Sequence, residues 1–245
     1  MTSQYMTKPN ALSRIADELR EKESYKQAIS KYLNAIIFER DNAKIYFGLG
    51  VCYKHLENYK KAISYLEKSA QLEKDYDTFF ELGVCNLLDG FPCRAIKCFV
   101  EAVKLNPENP DAILQLGISH ELCEEYDMAL MIYEKIIENS PKYVKAYDHK
   151  SSLLMKMERY KEASGVLNKI MKLDSTYSKA YVGIGICFDK LGKKTDAQRY
   201  YRKFLSSNTD PSQKSFVLSR MQKIRENKAQ NMMLTLVQFK KYVII

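Results

Sequence analysis

Histidine, cysteine and paired acidic residues are the side chains of this 245-residue sequence that could act on a substrate or hold a metal. The three histidines, His55, His120 and His149, have no His-Glu-x-x-His, Ser-His-Asp or phosphate-loop arrangement around them. Neighbouring acids such as Glu124 and Glu125 lie in otherwise polar stretches, where they favour solubility. The sequence therefore predicts a protein with no enzymatic activity and no cofactor.

The six cysteines do not have the spacing of metal ligands. No Cys-x-x-Cys pair occurs, and Cys93 and Cys98, five residues apart, have no histidine nearby. Cys52, Cys85 and Cys187 each follow a glycine by two residues in predicted helices, a pattern typical of small core side chains. We therefore expect neither a metal site nor a redox role for the cysteines.

The composition, 46% apolar and 28% charged, is that of a folded, soluble chain. The longest stretch without a charged residue, residues 229–239, has 11 residues, fewer than the roughly 18 to 20 apolar residues of a transmembrane helix. The N-terminal residues lack the apolar core of a signal peptide, and no Asn-x-Ser/Thr sequon occurs. We expect a cytoplasmic protein without a transmembrane segment.

The net charge of +9 comes from the C-terminal part of the chain. Residues 178–245 contain 14 Lys/Arg and 4 Asp/Glu. Such a surplus is either a solvated helical face or a surface for an acidic partner, an anionic membrane or nucleic acid. The candidate basic patch consists of Arg199, Arg202, Lys203, Lys214, Arg220, Lys223, Arg225 and Lys228.

An internal repeat determines the predicted fold. Alanines recur at intervals of 34, 33, 34, 34 and 34 residues, at positions 28, 62, 95, 129, 163 and 197. A small residue stands 12 positions before each alanine, and a Tyr, Phe or Leu stands 4 positions after it. Small residues allow two helices to approach closely, while the large residue fills the space toward the next unit. The pattern predicts tandem pairs of helices.

Segments such as GLGVCYKHLENYKKAISYLEKSAQLEK resemble tetratricopeptide repeats. The resemblance implies an all-α, right-handed superhelical solenoid whose first helices line a concave groove for a peptide or a partner helix. We place six repeats at 9–42, 43–75, 76–109, 110–143, 144–177 and 178–211. An N-terminal extension, a C-terminal capping helix and an apolar tail occupy residues 1–8, 212–230 and 231–245.

Two ligand types known for such repeats are not expected here. Repeats that grip the C-terminal carboxylate of Hsp70 or Hsp90 use Lys, Asn and Arg at groove positions, where this chain has Ser13, Asp17, Val51, Asp77 and Glu81. The asparagine ladder of glycosyltransferase superhelices is also missing, because residues such as Arg14 and Gln115 stand at its positions. The identity of the protein or peptide ligand is not encoded in these positions.

Apolar residues occupy the expected concave face instead. In the third repeat, Phe80, Val84, Leu87 and Leu88 form a stripe at i, i+4, i+7 and i+8, and neighbouring repeats extend it. The predicted peptide-binding groove contains Phe47, Val51, Phe80, Val84, Leu87, Leu88, Leu114, Ile118 and Leu122. Two interpretations remain open, a groove that a partner covers and apolar contacts buried between adjacent first helices.

Two functions follow from these features. The first is a non-enzymatic scaffold or adaptor that binds a protein in the apolar groove, and the alternative is nucleic-acid or anionic-surface binding by the basic C-terminal third. We expect a protein partner rather than nucleic acid, because Tyr201 and Phe204, which interleave with the basic residues, occupy core positions of the repeat. The apolar tail could cap the last repeat, dock in a groove and form a homodimer, or contact a membrane or partner.

Overall fold

The computed structural model describes residues 9–207, 211 and 213–226, and all regular secondary structure within these ranges is helical. Twelve helices follow one another in the order α1 (Pro9–Glu21), α2 (Tyr25–Ile36), α3 (Ala43–His55), α4 (Tyr59–Leu72), α5 (Tyr76–Leu88), α6 (Pro92–Leu105), α7 (Pro110–Leu122), α8 (Tyr126–Asn139), α9 (Val144–Lys156), α10 (Tyr160–Leu173), α11 (Ser178–Lys190) and α12 (Lys194–Ser206). Residues 213–226 are also helical. The predicted all-α repeat fold is confirmed.

The helices form two compact units, residues 1–136 and 137–245. In the first unit, α1 packs on α2, α3 on α4 and α5 on α6, and each second helix contacts the next first helix. In the second unit, α9 packs on α10, α10 on α11 and α11 on α12. This pairing has the order expected for tandem helical hairpins, although the exact repeat boundaries stay a prediction.

The recurring alanines lie in the core, as the sequence predicts. All six, Ala28, Ala62, Ala95, Ala129, Ala163 and Ala197, have no exposed surface. The large residues four positions later are buried as well, and they are Tyr32, Leu66, Phe99, Tyr133, Leu167 and Tyr201. An added Cβ on Gly117 would lie 2.5 Å from Cε1 of Tyr133. The small residue therefore makes room for the large side chain of the neighbouring helix.

Each first helix described in the structure ends in the same kind of turn. The residue two positions after α1, α3, α5, α7, α9 and α11 has a positive φ, between 57° and 82°. These residues are Glu23, Glu57, Gly90, Glu124, Glu158 and Gly192. The next backbone N–H donates to a carbonyl five residues back, as from Asn58 to Tyr53 at 2.9 Å, which closes the end of the helix.

The helical residues 213–226 pack on α12. Val217, Met221 and Ile224 form one buried cluster with residues of α12, including Tyr201 and Phe204. This contact has the position expected of a capping helix. Several predicted segments lie outside the described residues, namely the extension 1–8, positions 212 and 227–230 of the capping helix, Lys228 of the basic patch and the apolar tail 231–245.

Candidate functional site

The first helices of the first unit form a row. α1 contacts α3, α3 contacts α5 and α5 contacts α7, in addition to their contacts with second helices. The nine predicted groove residues all lie on α3, α5 and α7. Leu88 and Leu122 are exposed by 52% and 56%. Six others are half-buried, and they are Phe47, Val51, Phe80, Val84, Leu87 and Ile118.

Leu114 differs from the prediction, because its side chain is only 4% exposed. Helical spacing places it one turn before Ile118, but α7 packs against both α5 and α6, and this packing encloses Leu114. Its burial supports the alternative of packing between helices at this one position. The remaining eight residues keep exposed or half-exposed surface, and we refer to them as the groove face.

Phe80 connects the groove face to the core. Its ring stacks on Tyr76 with centroids 5.7 Å apart, and it meets the buried ring of Phe99 edge to face at 5.8 Å. Two aromatic contacts hold the side chain in one orientation. Phe80 therefore supplies a rigid part of the surface, while Leu88 and Leu122 supply its most accessible parts.

A cleft of about 450 Å³ is lined by residues of α1, α3, the end of α4 and the start of α5. Phe47 and Ala43 contribute apolar surface to it, and the guanidinium carbon of Arg20 lies 5.8 Å from the centroid of the Phe47 ring. Its lining also contains five carboxylates and two cations, which are Asp17, Glu21, Glu73, Asp75 and Asp77 together with Arg20 and Lys44. We refer to it as the acidic cleft.

Two of the five carboxylates already bind other groups of the protein. Asp17 accepts a hydrogen bond from the Tyr32 hydroxyl at 2.5 Å and lies 3.4 Å from Arg20. Burial, followed by this hydrogen bond, raises the pKa of Tyr32, so the hydroxyl remains a donor. Asp75 caps α5 by accepting from the Thr78 backbone N–H at 2.9 Å.

The other three carboxylates, those of Glu21, Glu73 and Asp77, make no ion pair with another described residue. They are therefore available to a ligand in the cleft. Beyond the cleft, Lys54 of α3 pairs with Glu81 of α5 at 2.7 Å, and both side chains are largely buried. This pair links two adjacent first helices beside the groove face.

Two of the five cleft acids were named from the sequence as groove positions, but the cleft itself was not predicted. Asp17 and Asp77 were the positions that argued against a carboxylate-binding clamp, and the same acidic character suits a basic ligand. The sequence signal for the cleft was the negative charge at these two groove positions. The missing information was that α1, the end of α4 and the start of α5 bring these acids together around Phe47.

The basic patch is only partly available to an anion. Asp189, whose side chain is 1% exposed, pairs with Arg220 and with Lys194, the latter at 2.6 Å. Arg220 is therefore a structural residue, which corrects its assignment to a binding patch. Lys223, Arg225 and Arg202 are exposed, Lys214 is half-buried, and Arg199 lies 3.2 Å from Asp196.

An aromatic pair lies among the basic residues. Phe188 and Tyr200 stack with centroids 5.5 Å apart. Lys193 lies over Phe188, and Arg199 and Lys203 lie over Tyr200, at 5.3 to 5.9 Å from the ring centroids. Tyr201 and Phe204 are buried, as predicted, so they are unavailable for stacking on bases.

Family models agree with the helical hairpins and the buried alanines. Models described as TPR repeat and tetratricopeptide repeat match residues 16–56 and 43–76. The chain belongs to the tetratricopeptide repeat family. A model described as the coatomer epsilon subunit matches residues 111–233, so this half of the tetratricopeptide repeat chain also resembles that subunit.

Curated relatives are much longer than this tetratricopeptide repeat chain. BBSome complex member BBS4 of Mus musculus is 33% identical over 107 residues, which are 44% of this chain and 21% of the relative. Anaphase-promoting complex subunit 3 of Schizosaccharomyces pombe is 23% identical over 146 residues, 59% of this chain and 22% of the relative. The matched region spans about a fifth of each relative.

Solved structures show the same tetratricopeptide repeat fold. The C-terminal part of a TPR repeat-containing protein of Cytophaga hutchinsonii has a TM-score of 0.71 at 21% identity, covering 78% of this chain and 77% of that one. YrrB, described as a TPR protein with an unusual peptide-binding site, has a TM-score of 0.63 at 24% identity, covering 69% and 88%. At this level of identity the likeness concerns the fold alone.

The cysteines of the tetratricopeptide repeats fall into two chemical classes. Burial raises the pKa of Cys52 and Cys187 to about 11 and that of Cys85 to about 12, as expected for core thiols. Cys93 and Cys123 instead form a disulfide, with Cα atoms 6.2 Å apart. The sequence did not predict this bond, because the fold joins two cysteines that are 30 residues apart.

Two other kinds of site are absent from the described residues. They contain no group of three or more His, Cys, Asp or Glu side chains arranged to hold a metal ion. None of their helices combines the length and the apolar character needed to cross a membrane. A cytoplasmic location stays a prediction.

Proposed function

We propose that this protein is a non-enzymatic scaffold that binds a segment of another protein along the groove face. The observation that carries the proposal is the exposure of Leu88 and Leu122, by 52% and 56%, beside six half-buried apolar residues on one row of helices. Exposed apolar side chains that cluster in this way are typical of interaction surfaces. An amphipathic helix or an extended peptide with apolar anchors would cover them.

The acidic cleft adds a charge requirement to the ligand. Five carboxylates and two cations line it, so its formal charge is negative. A lysine or arginine following the apolar anchors would enter the cleft with its aliphatic stem against Phe47 and its charge near Glu21 or Asp77. The expected ligand therefore carries apolar anchors and a basic end.

The expected affinity is modest. Each apolar side chain that is fully buried contributes roughly 1.5 to 3 kcal/mol, and association costs about 4 to 15 kcal/mol. The groove face offers several half-buried contacts rather than deep pockets, so the dissociation constant should be on the order of micromolar. Such affinity suits a subunit that contributes one of several contacts in an assembly.

The names of the relatives support a role in an assembly. The matched proteins are described as a BBSome complex member and a subunit of the anaphase-promoting complex, and the C-terminal half resembles a coatomer subunit. This chain matches about a fifth of the first two, so membership of any such complex is a proposal for this chain.

The test uses a designed helical peptide with three leucines on one face and two lysines at one end. Wild type should bind it with micromolar affinity in a fluorescence anisotropy titration. The double variant Leu88→Asp, Leu122→Asp should lose binding at least about tenfold, since two apolar contacts are replaced by charges. Leu105→Asp with Leu173→Asp, which changes exposed leucines on second helices, is the matched control.

Equal affinity of the groove double variant and the wild type would overturn the groove proposal. A peptide whose leucines are replaced by serine should not bind, which separates apolar contacts from simple charge attraction. Circular dichroism of each variant shows that the helices are retained. The substituted side chains are between 42% and 56% exposed, so folding should be preserved.

A second candidate function is binding of a polyanion by the basic patch. The stacked pair of Phe188 and Tyr200, surrounded by Lys193, Arg199 and Lys203, is the observation that favours it. Single-stranded oligonucleotide is the probe, and its affinity should fall steeply between 50 and 200 mM salt. Binding of the leucine peptide without its lysines should change little with salt, so the titration separates the two functions.

A further inference from the structure

The disulfide between Cys93 and Cys123 joins two neighbouring helical hairpins. Cys93 is the second residue of α6, and Cys123 is the residue directly after α7. Their Cα atoms are 6.2 Å apart, which lies within the usual range for disulfides, so the backbone already holds the two residues in position. The link closes a loop of about 30 residues that contains α6 from Cys93 onward and all of α7.

Access distinguishes Cys93 from the other cysteines. Cys93 is exposed and Cys123 is half-buried, so small thiols and disulfides in solution can reach at least one sulfur. The four free cysteines are buried or half-buried, and burial raises their pKa to about 11 or 12, which keeps them as unreactive thiols. Cys93 differs from them, because it is exposed in the first turn of α6.

The position of the link connects it to the groove face. Cys123 directly follows Leu122, and Cys93 stands five residues after Leu88. Leu88 and Leu122 are the last residues of α5 and α7, adjacent first helices that contact each other over only a small area. A covalent bond between the start of α6 and the residue after α7 therefore restrains the distance between the two most exposed leucines of the groove face.

We propose that Cys93 and Cys123 form a reversible thiol–disulfide site that staples neighbouring repeats and holds the C-terminal ends of α5 and α7 together. When the pair is reduced, the Cys93 thiolate attacks a sulfur of a small disulfide such as oxidised glutathione and releases one glutathione thiolate. The Cys123 thiolate then attacks the Cys93 sulfur and releases the second glutathione. The two cysteines lose two electrons and two protons, and one oxidised glutathione becomes two reduced molecules.

The first test measures the site without any peptide. Purified protein is equilibrated in glutathione buffers from fully reduced to fully oxidised, and denatured samples are alkylated and weighed by mass spectrometry. Wild type should change from six to four alkylated thiols, since the chain has six cysteines and one pair oxidises. The melting temperature should rise by about 5 to 10 °C on oxidation, because a closed loop of this length restricts the unfolded chain.

Three single variants show which cysteines cause the rise in melting temperature on oxidation. Cys93→Ser and Cys123→Ser should each abolish the oxidation-dependent rise in melting temperature, and Cys98→Ser, a cysteine on the same α6 helix, should preserve it. Six alkylated thiols in wild type across the whole glutathione range would overturn the proposal. Loss of the rise in Cys98→Ser, with retention in Cys93→Ser, would overturn it equally.

The effect of the disulfide on peptide binding rests on the proposed function, and a separate experiment measures it. The leucine peptide should bind oxidised and reduced wild type with affinities that differ by about threefold or more, while Cys123→Ser shows one affinity in both buffers. If the peptide binds neither form, the groove proposal fails while the thiol count still tests the disulfide. Equal affinity for the two forms, with a confirmed disulfide, would show that the staple does not control the groove.

Discussion

Arg220 of the helical residues 213–226 donates hydrogen bonds to Asp189, the penultimate residue of α11, whose side chain is 1% exposed. Lys194 at the start of α12 binds the other carboxylate oxygen at 2.6 Å. One buried acid therefore ties together three consecutive helical segments at the C-terminal end of the described structure. A buried carboxylate needs such partners, because an unpaired charge in this environment is strongly destabilising.

Replacing Arg220 by Met should destabilise the second unit by about 1 to 3 kcal/mol. The side chain keeps its apolar contacts, but Asp189 is left with Lys194 as its charged partner. Urea denaturation followed by circular dichroism measures the change. Arg225→Met, an exposed position on the same helical segment, should change the stability by less than about 0.5 kcal/mol. Similar midpoints for the two variants would contradict a structural role for Arg220.

The Asp189 pair should also make the stability depend on pH. Burial raises the pKa of Asp189, but hydrogen bonds from Lys194 and Arg220 outweigh it and hold the pKa below its ordinary value. A lowered pKa means that the stabilisation is complete above the unfolded pKa of about 3.9 and is lost as the pH falls through the folded value. The stability difference between wild type and Asp189→Asn should therefore be constant from pH 5 to 7 and shrink below pH 4.

Gly185 and Gly165 offer a matched test of the repeat packing. An added Cβ on Gly185 would collide with the ring of Tyr201, which is fully buried, whereas nothing lies within 4 Å of a Cβ on Gly165. Gly185→Ala should cost about 1 to 3 kcal/mol by overpacking. Gly165→Ala should stabilise α10 by about 0.5 to 1 kcal/mol, because alanine is the better helix former. Denaturation midpoints that move in the same direction would contradict this assignment of contacts.

A Glu→Gly substitution should have opposite effects on stability in a turn between paired helices and inside a helix. Glu57 has φ of 57°, a conformation that glycine adopts without steric cost, and the equivalent turns after α5 and α11 use Gly90 and Gly192. Glu57→Gly should stabilise the protein by about 0.5 to 1 kcal/mol. Glu67→Gly, at an exposed position inside α4, should destabilise it by a similar amount. Thermal unfolding of both variants measures the two changes in stability.

Sequence alone predicted the features that repeat. Ala129 and Tyr133 were assigned to the core because their spacing recurs in every unit, and both are fully buried. Leu114 was misassigned because helical periodicity gives the side of a helix but not how closely the neighbouring helices enclose it. The Cys93–Cys123 bond was missed because the two residues occupy different positions of their repeats, so no period relates them. The cleft was missed because its acids come from α1, the end of α4 and the start of α5.

The acidic cleft should favour ligands that have a basic end. Neutralising it with Glu21→Gln and Asp77→Asn should weaken binding of the leucine peptide with its two lysines by about 3- to 10-fold at low salt, since each exposed pair contributes roughly 0.2 to 1 kcal/mol. The loss should shrink as salt rises to 0.5 M, because screening removes most of the attraction in wild type as well.

Two controls separate the cleft from the groove face. The peptide without lysines should bind the Glu21→Gln, Asp77→Asn variant as it binds wild type, since its contacts are apolar. Glu67→Gln, which removes an exposed charge of α4 outside the cleft, should leave both affinities unchanged. An equal loss for both peptides would mean that the substitutions disturb α1 or α5, and an unchanged affinity for the lysine peptide would show that the basic end of the ligand does not enter the cleft.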